Sequence, residues 1–247
     1  MLRVALVCCV LGVALATPAV VRTKEEIQAF RHFLESTKND GATRNTRIPI
    51  SPKANPEENS GKFQGDIVLD DFMIERLLQQ YASGRNAYTH PEAKWPDNTV
   101  VWDFAEDQFG PLQQQAILDG IKDIEDNTCI KFRRREPEDT VFVNVTGMDG
   151  GCYAHVGYWQ PRGVHTYNLA RNVPGVGCFR HATIVHEWMH ILGFLHMQST
   201  HDRDNYVQIV SENSDLEYEG VMGQREYITE KDWIRINRQY NCPGAWN

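Results

Sequence analysis

The chain has 247 residues, of which 41% are hydrophobic and 23% charged, and a formal net charge of −8. That is enough apolar material for one large domain, or for a domain with an accessory segment. The acidic balance, with no basic run to offset it, argues against a nucleic-acid partner or an anionic membrane surface.

In chain order, Arg3 precedes an apolar run over 4–16 that closes on Ala14-Leu15-Ala16. This is the small-x-small pattern of a signal peptide, and the run is shorter than the about 20 residues a bilayer crossing takes. Residues 1–16 therefore predict a secreted, extracellular protein with no membrane span. Cys8 and Cys9 leave with that segment, and Cys129, Cys152, Cys178 and Cys242 remain. An even number in a secreted chain predicts two disulfides, and spacing alone leaves three pairings open.

Helical spacing of Ile27, Phe30, Phe33 and Leu34 predicts a helix over 24–37, and the Pro-, Asn-, Ser- and Gly-rich stretch 39–61 reads as a linker. Phe63-Gln64-Gly65-Asp66-Ile67-Val68-Leu69 follows, then an amphipathic helix over 70–81. Ser83-Gly84-Arg85-Asn86 is a small, polar, basic site of the kind processing proteases cut. Beyond Trp95-Pro96 the pattern predicts strands at 100–104, 129–132, 141–145 and 163–169, an edge strand at 152–157, and a helix over 112–126 opened by Gly110-Pro111. Asn144-Val145-Thr146 is a glycosylation sequon. Helices against a short mixed sheet make an α+β domain.

The chemistry is carried by His186-Glu187-Trp188-Met189-His190-Ile191-Leu192-Gly193-Phe194-Leu195-His196. Positions i and i+4 share a helix face, so His186 and His190 can meet one ion at the roughly 2.0–2.1 Å of a zinc–nitrogen bond. Glu187 is turned by roughly 100° from His186, beside the ion but not on it. A continued helix would carry His196 about 9 Å past His190. Gly193 is the position at which the chain can leave the helix and bring His196 back. Three imidazoles with an open fourth position make a catalytic rather than a structural zinc site, with one Zn2+ per chain. H-E-x-x-H alone arises by accident, but the full eleven-residue pattern is expected by chance in this composition on the order of once in ten thousand such chains.

His186 to His196, continued by Asp202-Arg203-Asp204-Asn205-Tyr206-Val207, resembles the astacin family of zinc metalloendopeptidases. Thr128-Cys129-Ile130-Lys131-Phe132, Gly151-Cys152-Tyr153-Ala154-His155-Val156-Gly157 and the C-terminal run from Asp232 to Cys242 resemble further family segments. The resemblance implies a metzincin-like mixed sheet with an active-site helix, and disulfides Cys129–Cys242 and Cys152–Cys178. It implies protein or peptide substrates, Glu187 as general base, and His186, His190 and His196 as zinc ligands. It also implies a pro-segment over 17–85 whose Asp66 blocks the metal, activation at Arg85–Asn86, and a peptidase domain over 86–247. Two departures stand out. Met197 replaces the family's glutamate after the third histidine, and no Ser-x-Met-His-Tyr run exists downstream. The C-terminal subdomain is therefore expected to be shortened, and the rival reading is a secreted zinc-binding module without proteolytic activity.

Overall fold

The computed structural model describes residues 22–38, 60–83, 91–196 and 227–246. Two helices lie in the N-terminal part, α1 (Lys24–Lys38) and α2 (Asp71–Ser83), with the short strand β1 (Ile67–Val68) between them. After Pro91 come β2 (Thr99–Phe104), α3 (Pro111–Asn127), β3 (Lys131–Arg134), β4 (Phe142–Thr146), β5 (Cys152–His155), β6 (Val164–Leu169), α4 (His181–Ile191) and α5 (Glu230–Gln239). This is the α+β class the sequence predicts.

The six strands form one sheet in the order β1-β5-β6-β4-β2-β3. Only β5 and β6 pair antiparallel; every other neighbouring pair is parallel. The expected edge strand at 152–157 is thus not an edge here. β1 lies outside it, with Ile67 opposite Ala154 and Val68 opposite His155, and the Ala154 amide donates to Asp66 O at 2.9 Å. An open edge leaves a row of unpaired N–H and C=O groups, and the N-terminal segment covers this one. β3 also sits two residues later than expected, because it pairs Thr99 with Lys131 through Trp102 with Arg134. Its mostly exposed, basic residues suit the opposite edge of the sheet.

The main core gathers around α4. Trp188 is fully buried, stacks on Tyr167 of β6 at 4.2 Å, and meets Phe132 and Trp102 edge-on at 5.1 and 6.2 Å. The Tyr167 hydroxyl donates to Ile184 O at 2.9 Å, which ties the helix to the sheet. A Cβ at Gly120 would meet Ile184 Cγ2 at 2.7 Å, so only glycine lets α3 approach α4 this closely. A second, smaller cluster holds Leu34, Phe63, Ile67, Leu69, Met73, Ile74, Leu77 and Leu78 against Ala93 and Val156. Its burial docks the N-terminal segment on the rest of the chain. Disulfide bonds join Cys129 to Cys242 and Cys152 to Cys178, at S–S distances of 2.05 and 2.14 Å. The first fastens α5 beside the start of β3, across 113 residues. Among the described residues no helix is long and apolar enough to cross a membrane.

Candidate metal centre

α4 starts after Arg180 and buries Ala182, Ile184, Val185, Trp188 and Ile191, which turns His186 and His190 toward β1. The helix stops in a Schellman motif: Phe194 N donates to Met189 O at 3.0 Å and Gly193 N to His190 O at 2.8 Å. Gly193 takes φ +98°, the left-handed conformation that glycine enters without a Cβ penalty. Beyond it the chain doubles back and delivers His196.

The three rings converge. Their centroids lie 4.8 Å (His186–His190), 5.2 Å (His186–His196) and 4.8 Å (His190–His196) apart. The Nε2 atoms of His186 and His196 are 3.2 Å from each other. Into this trio comes the carboxylate of Asp66, only 1% exposed. Its Oδ2 lies 3.0 Å from His186 Nε2 and 3.2 Å from His196 Nε2, and its Oδ1 3.4 Å from His190 Nε2. Asp66 is aimed there by a tight turn, in which Phe63 and Ile67 exchange both backbone hydrogen bonds and Gly65 N donates to Lys62 O at 3.0 Å.

This arrangement fits a tetrahedral ion. Ligand atoms at about 2.0–2.1 Å from zinc stand roughly 3.3 Å from one another, close to the separations found, and the four ligating atoms all lie within 4.8 Å of one another. The tautomer fits as well. His190 Nδ1 is 2.7 Å from Phe194 O, which only accepts, so Nδ1 carries the proton and Nε2 presents a lone pair. His190 Nε2 and Asp66 Oδ1 are buried and make no well-formed hydrogen bond to any described protein group, a situation a cation between them relieves. Three imidazoles and a carboxylate are a zinc donor set.

Electrostatics agree. Burial opposes a charge on Asp66, but the imidazoles of His190, then His186 and His196, hold its carboxyl far below the ordinary range. Glu187 is completely buried beside His186. Burial, and then the charge of Glu187, push the Tyr167 hydroxyl well up.

Other expected residues fall elsewhere. Asn144 sits mid-strand in β4, between β2 and β6 and half-buried, and Thr146 of its sequon is buried and bonded to Asn168 Oδ1 at 2.8 Å. That is not the surface loop in which a sequon ordinarily sits. Residues 1–16, Arg85, Asn86, Met197 and 202–207 lie outside the described residues. Sequence reasoning missed the brace behind the turn. Trp95 Nε1 donates to Ile191 O at 2.8 Å, and Leu192 O takes the Tyr240 hydroxyl at 3.0 Å and Gln239 Nε2 at 3.2 Å. No local pattern signals partners so far apart in sequence.

A sequence model of the astacin peptidase family matches residues 87–220, more than half of the 247-residue chain. The chain belongs to the astacin family. It is similar to zinc metalloproteinase nas-4 of Caenorhabditis elegans, 26% identical over 300 residues, covering 98% of this chain and 91% of the relative. It is also similar to astacin-like metalloprotease toxin 2 of Loxosceles intermedia, 30% identical over 231 residues, covering 74% of this chain and 86% of the relative. Among solved structures it resembles high choriolytic enzyme 1, a hatching enzyme zinc-protease of Oryzias latipes, at 23% identity and a TM-score of 0.48, over 60% of this chain and 93% of that one. Astacins use zinc, and this astacin is a zinc metallopeptidase whose His186, His190, His196 and Asp66 form a cluster able to hold the ion.

Proposed function

We propose that the chain is a secreted zinc endopeptidase made as a latent precursor. In this reading His186, His190 and His196 hold the ion, Asp66 fills the position that water takes in the active form, and Glu187 is the general base. The observation that carries it is the Asp66 carboxylate, buried within 3.0–3.4 Å of all three imidazole Nε2 atoms. When bound, zinc supplies Lewis acidity that polarises a peptide carbonyl and makes water nucleophilic near neutral pH. Glu187 takes the proton of that water and passes it to the leaving amine. The Phe194 carbonyl keeps His190 in its ligating tautomer. Departure of β1 frees the edge of β5, on which an extended peptide can add as a strand.

Secretion is supported by the apolar run over 4–16 and by the two disulfide bonds, which persist in oxidising compartments. Residues 17–85 as a removable segment, cut at Arg85–Asn86, are supported by the separate small core that this part builds. The missing Ser-x-Met-His-Tyr run supports a shortened domain over 86–247. A glycan on Asn144 rests on the tripeptide alone.

The full chain, loaded with zinc, is assayed on a generic protein substrate before and after limited trypsin digestion, with zinc measured per chain. One zinc and activity that appears only on digestion are expected. A second reading, a zinc-binding module that holds peptides without cutting them, is favoured by the missing Ser-x-Met-His-Tyr run. Stoichiometric zinc with no cleavage after complete digestion selects it.

A further inference from the structure

We propose that Arg162 is the carboxylate-recognising residue of the peptide cleft, and that Asp70 occupies its site in the precursor as a substrate acid would. The proposal rests on the cleft being a peptide site, as argued above. Arg162 follows β5, and its side chain is 6% exposed. Nη1 donates to Gly157 O at 3.0 Å, which fixes the guanidinium at the end of the strand that β1 covers. Nε donates to Asp70 Oδ2 at 2.5 Å. The rings of Phe72 and Trp159, stacked on one another at 4.6 Å, each lie 5.7 Å from the cation.

The pairing is incomplete in an informative way. Nε and Nη2 form one side of the guanidinium fork, able to hold both oxygens of a carboxylate. Asp70 uses only Nε, because its Oδ1 is committed to the Met73 amide at 2.8 Å, at the start of α2. Nη2 is left buried without a hydrogen-bond partner among the described residues. A carboxylate not tied into a helix start can take both donors.

Removal of the N-terminal segment takes Asp70 and Phe72 away together. Arg162 then keeps Gly157 O and Trp159 but loses its counter-ion, and a cation held against an aromatic ring and a backbone carbonyl without an anion is unfavourable. Nearby His155 is no counter-ion in either protonation state, and burial and the charge of Arg162 lower it to about 3, so at pH 7 it adds no second positive charge. Asp70 stands four residues beyond Asp66, about 13 Å along an extended chain at about 3.3 Å per residue. The favoured acid is therefore placed about four residues from the scissile bond.

The test uses the full chain, zinc-loaded and processed by limited digestion, in the Glu187→Gln form so that bound peptides stay intact. Fluorescent peptides carrying Glu or Gln at each successive position, and otherwise identical, are compared by anisotropy. Glu is expected to bind on the order of tenfold tighter than Gln at one position, as a charge-assisted bidentate pair gives. Arg162→Gln abolishes that ratio, and Arg162→Lys retains part of it. Equal affinities at every position in the unaltered Arg162 protein overturn the proposal without recourse to any variant, as does a preference that survives Arg162→Gln. Cleavage of the Gln peptides by the parent protein is read separately. Cleavage without an acid preference removes the Arg162 site alone, and preference without cleavage leaves the site and removes the peptidase reading.

Discussion

Asp66 Oδ2 stands 3.0 Å from His186 Nε2, across 120 residues of chain. A ligand changes a conformational balance only by its differential affinity for the two states. In the proposed latent form the carboxylate binds one state, with β1 docked, and would compete for the position that catalytic water takes. Asp66→Ala removes the competitor while leaving the Ile67 and Phe63 packing. The undigested Asp66→Ala chain should turn over a protein substrate on the order of tenfold faster than the undigested parent. Initial rates before trypsin treatment decide it, and unchanged latency counts against the blocking role.

Glu187 is completely buried and lies next to a zinc-facing histidine. Glu187→Gln keeps the shape and removes the proposed base. Digested Glu187→Gln protein should lose about 10²–10⁴-fold in kcat, the usual worth of a positioned proton acceptor. Zinc per chain, measured by metal analysis, should not change. Turnover within a few-fold of the parent means another group takes the proton.

What the sequence made legible follows from which physics is local. The helices α2 and α3 and the strands β2, β4 and β6 appear within a residue or two of expectation, because periodic burial is written in adjacent positions. The return of His196 is readable for the same reason, since Gly193 announces a left-handed residue by its type. The covering of β5 by β1 is not, because it joins residues 87 positions apart through backbone hydrogen bonds that any side chain permits. The Trp95 and Tyr240 braces and the Asp70–Arg162 pair are made by side chains, but they too join residues far apart in sequence. β3 begins later than its sequence predicts because an exposed edge strand lacks the apolar alternation that marks buried ones.

His165 should make the protein acid-sensitive. Its Nε2 accepts from Trp159 N at 3.0 Å and its Nδ1 faces Gly163 O at 3.1 Å, so the neutral ring is fully satisfied and a second proton would break the Trp159 bond. Burial first, then the charges of Arg162 and His155, lower it to about 3, against an ordinary value of 6.5. Between those values the unfolded chain binds a proton that the folded one does not. Stability is therefore whole above about pH 6.5 and falls toward pH 3, by at most about 1.4 kcal/mol per pH unit for this one proton. Urea midpoints for the parent and His165→Gln, taken from pH 7 to 4 at fixed zinc, should converge as pH falls. Parallel curves rule the assignment out.

Gly193→Ala tests the turn on which the third histidine depends. A Cβ there lies 3.1 Å from Gln239 Nε2, and φ +98° disfavours any L side chain regardless of space. Strain of about 1–2 kcal/mol is expected, relieved by shifting the chain after residue 193 or by pushing α5 off Leu192 O. Either movement displaces His196 relative to His186 and His190, whose positions α4 fixes from the other side. Zinc affinity, measured by competition with a chromogenic chelator, should weaken on the order of tenfold. The helix itself should persist, because Trp188 and Ile184 remain packed on the sheet. Loss of zinc affinity with retained far-UV circular dichroism places the defect at the turn, and full zinc affinity would show that the ligand set tolerates a different path from His190 to His196.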